Sequence, residues 1–340
     1  LCSEITLPTG IDHHGKQRTA VCCLSSLNLE TYLEWHEHPH FIEDVMRFLD
    51  NVLQGFIDNA GTDFARATYA AMRERSVGLG VMGFHSFLQA NGIPLESVMA
   101  KVWNKKMFKH IRGQCDEAST SLAAERGACP DAADFGVAER FSNKLAIAPT
   151  ASISIICGGA SPGIEPSAAN VYNHKTLSGS FVVRNPYLEK LLEQKGKNDE
   201  DTWTSVTTSQ GSVQHLDCLD DHEKAVFKTA FEIDQRWLVE HAADRTPFIC
   251  QSQSLNLFLP ADVHKRDLHQ IHMMAWKRGV KSLYYCRSLS IQRAETVAGE
   301  ALAAPLGDHG LSAPRTDVPS PLATGIPAQS NDYEECLSCQ

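Results

Sequence analysis

The fold of this chain is decided by the stretch Val21-Cys22-Cys23-Leu24-Ser25-Ser26-Leu27-Asn28-Leu29, which lies in an extended segment predicted over Thr19–Leu29. Another extended segment is predicted before it, over Leu1–Thr6. After it, apolar residues recur at intervals of three and four. This spacing predicts helices over Phe41–Asn59, Asp63–Arg75 and Leu95–Arg126, the last of them broken once.

The second half of the chain alternates between the two kinds of element. Short apolar runs predict strands over Leu145–Ala148, Ile153–Ile156, Ser254–Leu259 and Lys281–Cys286. Helical spacing predicts helices over Asp221–Ala243 and Ala261–Arg278. Strands that alternate with helices predict an α/β fold with much parallel sheet. The stretch Ala301–Gln340 is rich in Pro, Ala, Gly, Ser and Asp and is predicted to be a flexible tail.

The composition excludes several classes of protein. The chain has 340 residues, a net charge of −10 and 43% hydrophobic residues, which is typical of a globular protein and not of a disordered one. Its apolar runs are far shorter than the ~18–20 residues that cross a bilayer, so no membrane partner is expected. The acidic balance, with no basic stripe, argues against direct binding of nucleic acid.

The cysteines and the first residue are unusual. Eleven cysteines cannot all pair within one chain, and without a signal segment they are expected to be thiols of a cytoplasmic protein, most of them in the core. The first residue is Leu and not Met, so we expect the chain to begin inside a longer protein. The chain ends in Cys336-Leu337-Ser338-Cys339, a pair that suits redox exchange on a mobile arm. A metal site and an incidental pair remain alternatives for it.

Two further groups of residues carry possible chemistry. Cys2 and Glu4 are two positions apart, so in an extended segment their side chains share one face, with Glu4 as a possible general base and acid beside a thiol. Cys22 and Cys23 follow twenty residues later. Adjacent Tyr284 and Tyr285 could be a pair of redox-active phenols. The alternatives are buried structural cysteines and an ordinary aromatic strand whose tyrosines face opposite ways.

Three other motifs receive weaker interpretations. The turn Thr150-Ala151-Ser152-Ile153-Ser154 could hold an anion with hydroxyls and backbone N–H groups, or could merely cap a strand. The sequence from Gly78 to Gly83 satisfies G-x-G-x-x-G, but no strand clearly precedes it, so we assign it to close backbone packing and not to a dinucleotide site. The histidines of His36–His40 are expected in a solvated loop, and no metal site is assigned.

Together these pieces resemble the large (alpha, catalytic) subunit of class I ribonucleotide reductases. The motifs occur in the family's order from one end of the chain to the other: Leu1-Cys2-Ser3-Glu4-Ile5, Cys22–Leu29, Gly80–His85, Pro149–Ser154, Gly163–Pro166, Gln251–Asn256, Leu283–Tyr285 and Cys336/Cys339. The resemblance implies the C-terminal part of a ten-stranded α/β barrel over residues 1–300, followed by the redox tail over 301–340.

The resemblance also implies a role for each residue in reducing ribonucleoside diphosphates. Cys2 would carry the thiyl radical and Glu4 would take the proton of the substrate's 3′-hydroxyl. Cys22 would be one of the two reducing cysteines. Tyr285 and then Tyr284 would relay the radical. Other roles fall to Cys336 and Cys339, which would re-reduce the active site, and to Thr150, Ala151, Ser152, Ile153 and Ser154, which would hold the substrate phosphates.

The implied partners lie outside the chain. They are the N-terminal portion of the same subunit, a metal-containing small (beta) subunit that supplies the radical, and thioredoxin or glutaredoxin as the electron source; no cofactor is expected on this chain itself. Without the upstream portion we expect the chain to be inactive. The alternatives are an adenosylcobalamin-dependent class II reductase, which needs no tyrosine pair, and a non-catalytic fragment of a split gene.

Overall fold

The computed structural model describes residues 2–176 and 179–288; the predicted tail over 301–340 lies outside them. The helices are α1 (Tyr32–Trp35), α2 (Phe41–Asn59), α3 (Ala65–Glu74), α4 (Phe84–Ala90), α5 (Val98–Arg126), α6 (Pro130–Ala133), α7 (Ala151–Ile156), α8 (Pro186–Gln194), α9 (Glu200–Thr208), α10 (Asp221–Val226), α11 (Gln235–Arg245) and α12 (Lys265–Lys277). The strands are β1 (Gly10–Ile11), β2 (Gln17–Arg18), β3 (Cys23–Asn28), β4 (Val77–Met82), β5 (Val171–Thr176), β6 (Gly179–Arg184), β7 (Leu257–Leu259) and β8 (Cys286–Ser288).

Parallel strands that follow one another in the chain lie side by side. Strand β3 pairs with β4 in parallel, from Cys23 opposite Val77 to Asn28 opposite Met82. Parallel bridges then connect β4 to residues 145–147 and these to residues 251–254. Strand β7, which continues from the last segment, pairs in parallel with β8. Helices occupy the connections between these segments, as parallel pairing requires, and the predicted α/β fold is confirmed.

Two glycines allow the strands of this sheet to lie close together. A Cβ atom at Gly80 would lie 2.5 Å from the backbone oxygen of Ala146, and one at Gly78 would lie 2.5 Å from the side chain of Leu24. Both glycines are inside β4, which is buried along its whole length. The sequence prediction that close packing explains these glycines is confirmed.

The main core lies between this sheet and the helices that cover it. Helix α2 has the predicted bounds and buries Ile42, Met46, Leu49 and Leu53, which recur on one face at helical spacing. Helix α5 packs against it and begins where the side chain of Ser97 accepts a hydrogen bond from the N–H of Ala100. It runs for 29 residues without interruption, so the predicted break is wrong.

A second, smaller core belongs to a part of the chain that we call the hairpin region, residues 171–176 and 179–227. Strands β5 and β6 form an antiparallel hairpin, and α8, α9 and α10 pack near it. Its buried residues include Leu188, Leu192, Trp203, Val206 and Val213. No element was predicted here from the sequence between residues 164 and 221.

Two predicted elements are wrong in kind or extent. Residues Ile153–Ile156 form the end of helix α7 and not a strand, because Thr150 adopts a left-handed backbone conformation (φ 54°) from which a helical turn begins. The helix predicted over Asp221–Ala243 is interrupted after α10, because the side chain of Asp234 caps a new helix by accepting a hydrogen bond from the N–H of Arg236. The short strands β7 and β8 lie within or just after the stretches predicted as strands.

Candidate active site

The segment from Cys2 to Thr6, which we call the Cys2 segment, lies along residues 251–254. The N–H of Ser252 donates to the carbonyl oxygen of Glu4 at 2.8 Å, and the N–H of Ser3 donates to the hydroxyl of Ser254 at 3.0 Å. From the other side, the hydroxyl of Ser282 donates to the carbonyl oxygen of Ser3 at 2.8 Å. The first residues of the chain are therefore held by residues about 250 positions later.

The carboxylate of Glu4 is fully buried by this arrangement. Its Oε2 atom accepts a hydrogen bond from the hydroxyl of Ser254, whereas Oε1 is buried without a hydrogen-bond partner among the described residues. Cys2, two positions earlier, is partly buried. A buried carboxylate with one unused oxygen, near a thiol on the same short segment, can accept or return a proton.

Gln251 connects the Cys2 segment to Cys22. Its Oε1 atom accepts from the N–H of Thr6 at 3.2 Å, and its Nε2 atom donates to the carbonyl oxygen of Val77 at 3.2 Å and lies 3.7 Å from Sγ of Cys22. Burial raises the pKa of the Cys22 thiol to about 12, and the charge of Glu4 adds to the shift. Cys22 therefore stays protonated at neutral pH, which suits a hydrogen donor better than a thiolate nucleophile.

Some of the other cysteines of the described residues have structural surroundings, whereas Cys157 and Cys286 are exposed. Cys250 accepts hydrogen bonds from the N–H groups of Lys144 and Leu145, both at 3.0 Å, and so joins two neighbouring strand segments. Cys115 and Cys129 are buried, and burial raises the pKa of the Cys23 thiol. The redox pair predicted at Cys336 and Cys339 lies outside the described residues.

The rings of the two tyrosines lie against each other at a tilt. Their ring centroids are 4.1 Å apart with an interplanar angle of 37°. They precede β8, so the alternation of a regular strand does not separate them. The N–H of Tyr284 donates to the carbonyl oxygen of Leu255, and the N–H of Tyr285 donates to Oδ1 of Asn256. Tyr284 is therefore attached to the residue that follows Ser254, the partner of Glu4.

The hydroxyls of Thr150 and Ser154 form hydrogen bonds within the protein that hold the turn at residues 150–154. The hydroxyl of Thr150 accepts from the N–H of Gly163 at 2.6 Å, and the hydroxyl of Ser154 donates to the carbonyl oxygen of Ala151 at 2.8 Å. Ser152 and Ile153 are exposed in the first turn of α7, where N–H groups have no acceptor within a helix. An anion at this turn would therefore meet backbone N–H groups and Ser152 more than the other two hydroxyls.

The histidines of His36–His40 do not converge on one point. His36 stacks on Tyr32 at 4.9 Å, whereas His38 and His40 are exposed. Among the described residues, the group close enough to share a metal is instead His13, His14 and Asp134, at the surface. The guanidinium of Arg73 already contacts the Asp134 carboxylate and lies 3.0 Å from Nε2 of His14, so a cation is already in place there.

The residues that sequence reasoning missed are the polar residues of 251–256. They matched a family motif but received no role, although Gln251, Ser254 and Asn256 hold the Cys2 segment, Cys22 and Tyr285. All are almost fully buried. Since buried polar groups need hydrogen-bond partners, a polar run entering a predicted strand is the signal that could have marked them.

Comparisons with known proteins agree on one family. The family model described as "Ribonucleotide reductase, barrel domain" matches residues 1–139 and 131–286. The large subunit of ribonucleoside-diphosphate reductase from Invertebrate iridescent virus 6 is 49% identical over 301 residues, covering 87% of this chain and 31% of the relative. The large subunit from Danio rerio is 31% identical, covering 85% of this chain and 40% of the relative.

A solved structure is also similar. The class Id ribonucleotide reductase alpha subunit of Actinobacillus ureae aligns with a TM-score of 0.78 and 38% identity, covering 87% of this chain and 54% of that one. The chain thus spans about a third to a half of the length of these relatives. No helix among the described residues is long and apolar enough to cross a membrane. The chain belongs to the ribonucleotide reductase family, and its matches to the barrel-domain model of that family lie within residues 1–286.

Proposed function

We propose that this chain takes part in the reduction of ribonucleoside diphosphates to deoxyribonucleoside diphosphates, as part of the large subunit of a class I reductase. The observation that carries the proposal is the placement of the Cys2 segment. Residues 251–254 bind this segment and also contact Cys22, so a thiol, a buried carboxylate and a second thiol are mounted on one support.

Each residue has a role that its surroundings support. Cys2 carries the thiyl radical that takes the substrate's 3′ hydrogen, and Glu4 accepts the proton of the 3′-hydroxyl. Cys22, protonated because it is buried, supplies reducing equivalents together with a second cysteine from the upstream portion of the subunit. The turn at Thr150–Ser154 binds the diphosphate, chiefly through N–H groups at the start of α7.

The partners follow from these roles. A small subunit with a metal centre delivers the radical through Tyr285 and Tyr284, whose rings lie 4.1 Å apart. Thioredoxin or glutaredoxin restores the electrons through Cys336 and Cys339. The relatives are two to three times as long as the matched region, which supports the upstream portion as a further partner.

The test replaces Tyr284 by Phe in this chain, assembled with the upstream portion of the subunit, a small subunit and a dithiol. Phe cannot form a phenoxyl radical, so we expect turnover to fall below detection. Tyr172→Phe, on the surface of the hairpin region, is the matched control and keeps full activity. Deoxynucleoside diphosphate formation is measured directly.

Two other results would contradict the proposal. Turnover by Tyr284→Phe that needs adenosylcobalamin and no small subunit would assign the chain to class II. Absence of turnover by the wild-type assembly would favour the non-catalytic fragment.

A further inference from the structure

The two oxygens of the Glu4 carboxylate are in unequal positions. Oε2 receives the hydroxyl of Ser254, and Oε1 is buried without a hydrogen-bond partner in the described part of the chain. A buried, unpaired carboxylate oxygen is costly. Such an atom is typical of a position that a ligand completes, and Oγ of the adjacent Ser3 is a second buried atom without a partner among the described residues.

The direction of the Ser254 hydrogen bond can be assigned from its neighbours. The Oγ atom of Ser254 accepts the N–H of Ser3 at 3.0 Å. A hydroxyl group has a single hydrogen, and the remaining close partner is Oε2 of Glu4. The hydroxyl therefore donates to Glu4, and Oε2 is the acceptor of that hydrogen bond.

We propose that Ser254 is a positioning residue that reserves Oε1 of Glu4 as the atom that takes the proton from a ribose hydroxyl of the substrate. This inference rests on the proposed function. In the step, the substrate O–H bond breaks and an O–H bond forms at Oε1. The electron pair stays on the substrate oxygen, and the carboxylate becomes a neutral acid.

The arrangement also sets the orientation of the carboxylate before substrate binds. The N–H of Ser3 fixes the Ser254 oxygen, and the Ser254 hydroxyl fixes Oε2, so the carboxylate is held at one of its two oxygens. The backbone of Glu4 is held as well, by the N–H of Ser252. A general base that is already oriented loses less rate to reorganisation than one that is free to rotate.

Anchoring of the Cys2 segment is the competing role, because Ser254 also binds Ser3. Ser282 separates the two roles, since its hydroxyl holds the carbonyl oxygen of Ser3 and, among the described residues, makes no hydrogen bond to the Glu4 carboxylate. Ser282→Ala measures what loosening of the segment costs. Ser254→Ala loosens the same segment and also releases Oε2, so any additional loss belongs to the carboxylate.

The experiment measures kcat and KM for both variants and for Ser254→Thr in the assembled enzyme, with melting temperature as the check on folding. For Ser254→Ala we expect kcat to fall about 10–100-fold while KM changes less than about threefold. Ser282→Ala should lose at most about threefold. Ser254→Thr, which keeps a hydroxyl, should recover most of kcat. Ser254→Cys, of similar size but with a weaker donor, replaces the Ala variant if that one unfolds.

Equal kcat losses for Ser254→Ala and Ser282→Ala would overturn the inference, as would a loss in KM alone. A Thr variant as slow as the Ala variant would do the same. Failure of the proposed function looks different, because the wild-type assembly itself would then not turn over.

Discussion

The parallel sheet and the hairpin region are built in opposite ways. We call the parallel sheet and the helices that cover it the parallel region. In this region, contacts join distant parts of the chain: Ser3 and Ser254 are 251 positions apart. In the hairpin region, β5 pairs with the strand that directly follows it. Local pairing forms quickly, whereas distant pairing requires loop closure first. The attachment of the Cys2 segment to residues 251–254 depends on the slower kind of contact.

The two regions also differ in what they bury. The parallel region encloses polar side chains such as Gln251 and Ser254, whereas the hairpin leaves Phe181 and Val182 more than half exposed. Burying polar groups is favourable only when each finds a partner. The parallel region therefore buries polar groups at the candidate active site, and each of them is costly if it loses its partner. We expect this region to tolerate substitution less well than the hairpin region.

The largest expected effect is at Gly80. In Gly80→Ala the new Cβ would lie 2.5 Å from the backbone oxygen of Ala146. Backbone cannot move aside as a flexible side chain can, so we expect the free energy of unfolding to fall by about 3 kcal/mol. The matched control is Gly113→Ala on the exposed face of α5, where the new Cβ would have no neighbouring atom within 4 Å. It should gain about 0.5–1 kcal/mol through helix propensity.

Urea unfolding of both variants checks this prediction, with the midpoint compared at constant slope. If Gly80→Ala were as stable as Gly113→Ala, the strands of the parallel region would not be as tightly spaced as described. The comparison between the two regions would then lose its main support.

The sequence predicts the parallel region better than the hairpin region. Helix α2 has the predicted bounds because its apolar residues repeat regularly at helical spacing. The three isoleucines of Ile153–Ile156 are β-branched and favour a strand, but a left-handed residue at Thr150 overrides that preference and helix α7 forms instead. Such a backbone conformation at a Thr is rare and leaves no mark in the sequence.

The candidate site is predictable only in part for a related reason. Cys2 and Glu4 share one short segment, so the sequence alone shows that they are close along the chain. Ser254 and Gln251 act on that segment from about 250 positions away, and no local pattern states which strand will lie beside it. The contact between the rings of Tyr284 and Tyr285 is likewise not predictable from the sequence. In a regular strand the two side chains would face opposite ways, whereas here they lie before β8 begins.

Acid should weaken the parallel region through two buried histidines. Burial lowers the pKa of His85 in α4 and of His241 in α11, each to about 4. Between pH 6.5 and 4 the unfolded chain therefore binds more protons than the folded one, so stability falls as the pH falls. The slope is at most about 1.4 kcal/mol per pH unit for each histidine.

The variant His85→Gln isolates this effect. Its unfolding free energy should depend less steeply on pH than that of the wild type between pH 6.5 and 4. Comparing the slope of the variant with that of the wild type removes the contribution of carboxyl groups, which both proteins share. One of them is Glu165, whose pKa is raised by burial, so that its contribution to stability falls as the pH rises. His222→Gln in the exposed part of the hairpin region is the control; a slope change as large there would contradict the prediction.

The smallest expected effect is at Asn185, which joins the two regions. Its Oδ1 atom caps α8 by accepting from the N–H of Tyr187 at 3.1 Å, and its Nδ2 atom donates to Oε1 of Gln89 in α4 and to Oδ1 of Asn170, both at 2.9 Å. Asn185→Ala removes all three hydrogen bonds and should cost about 1 kcal/mol. Asn185→Asp keeps the cap acceptor but loses the donor to both Gln89 and Asn170, so it separates the cap from the bonds between the regions.

Hydrogen exchange can separate the two contributions. Asn185→Ala should speed exchange of the amides of α8, whereas amides of β7 in the parallel region should keep their protection. Asn185→Asp should leave exchange of the α8 amides nearly unchanged, because it keeps the cap acceptor and loses only the two bonds from Nδ2. If exchange rose equally in α8 and β7, the two regions would unfold as one unit, and the active site would depend on local as well as distant pairing.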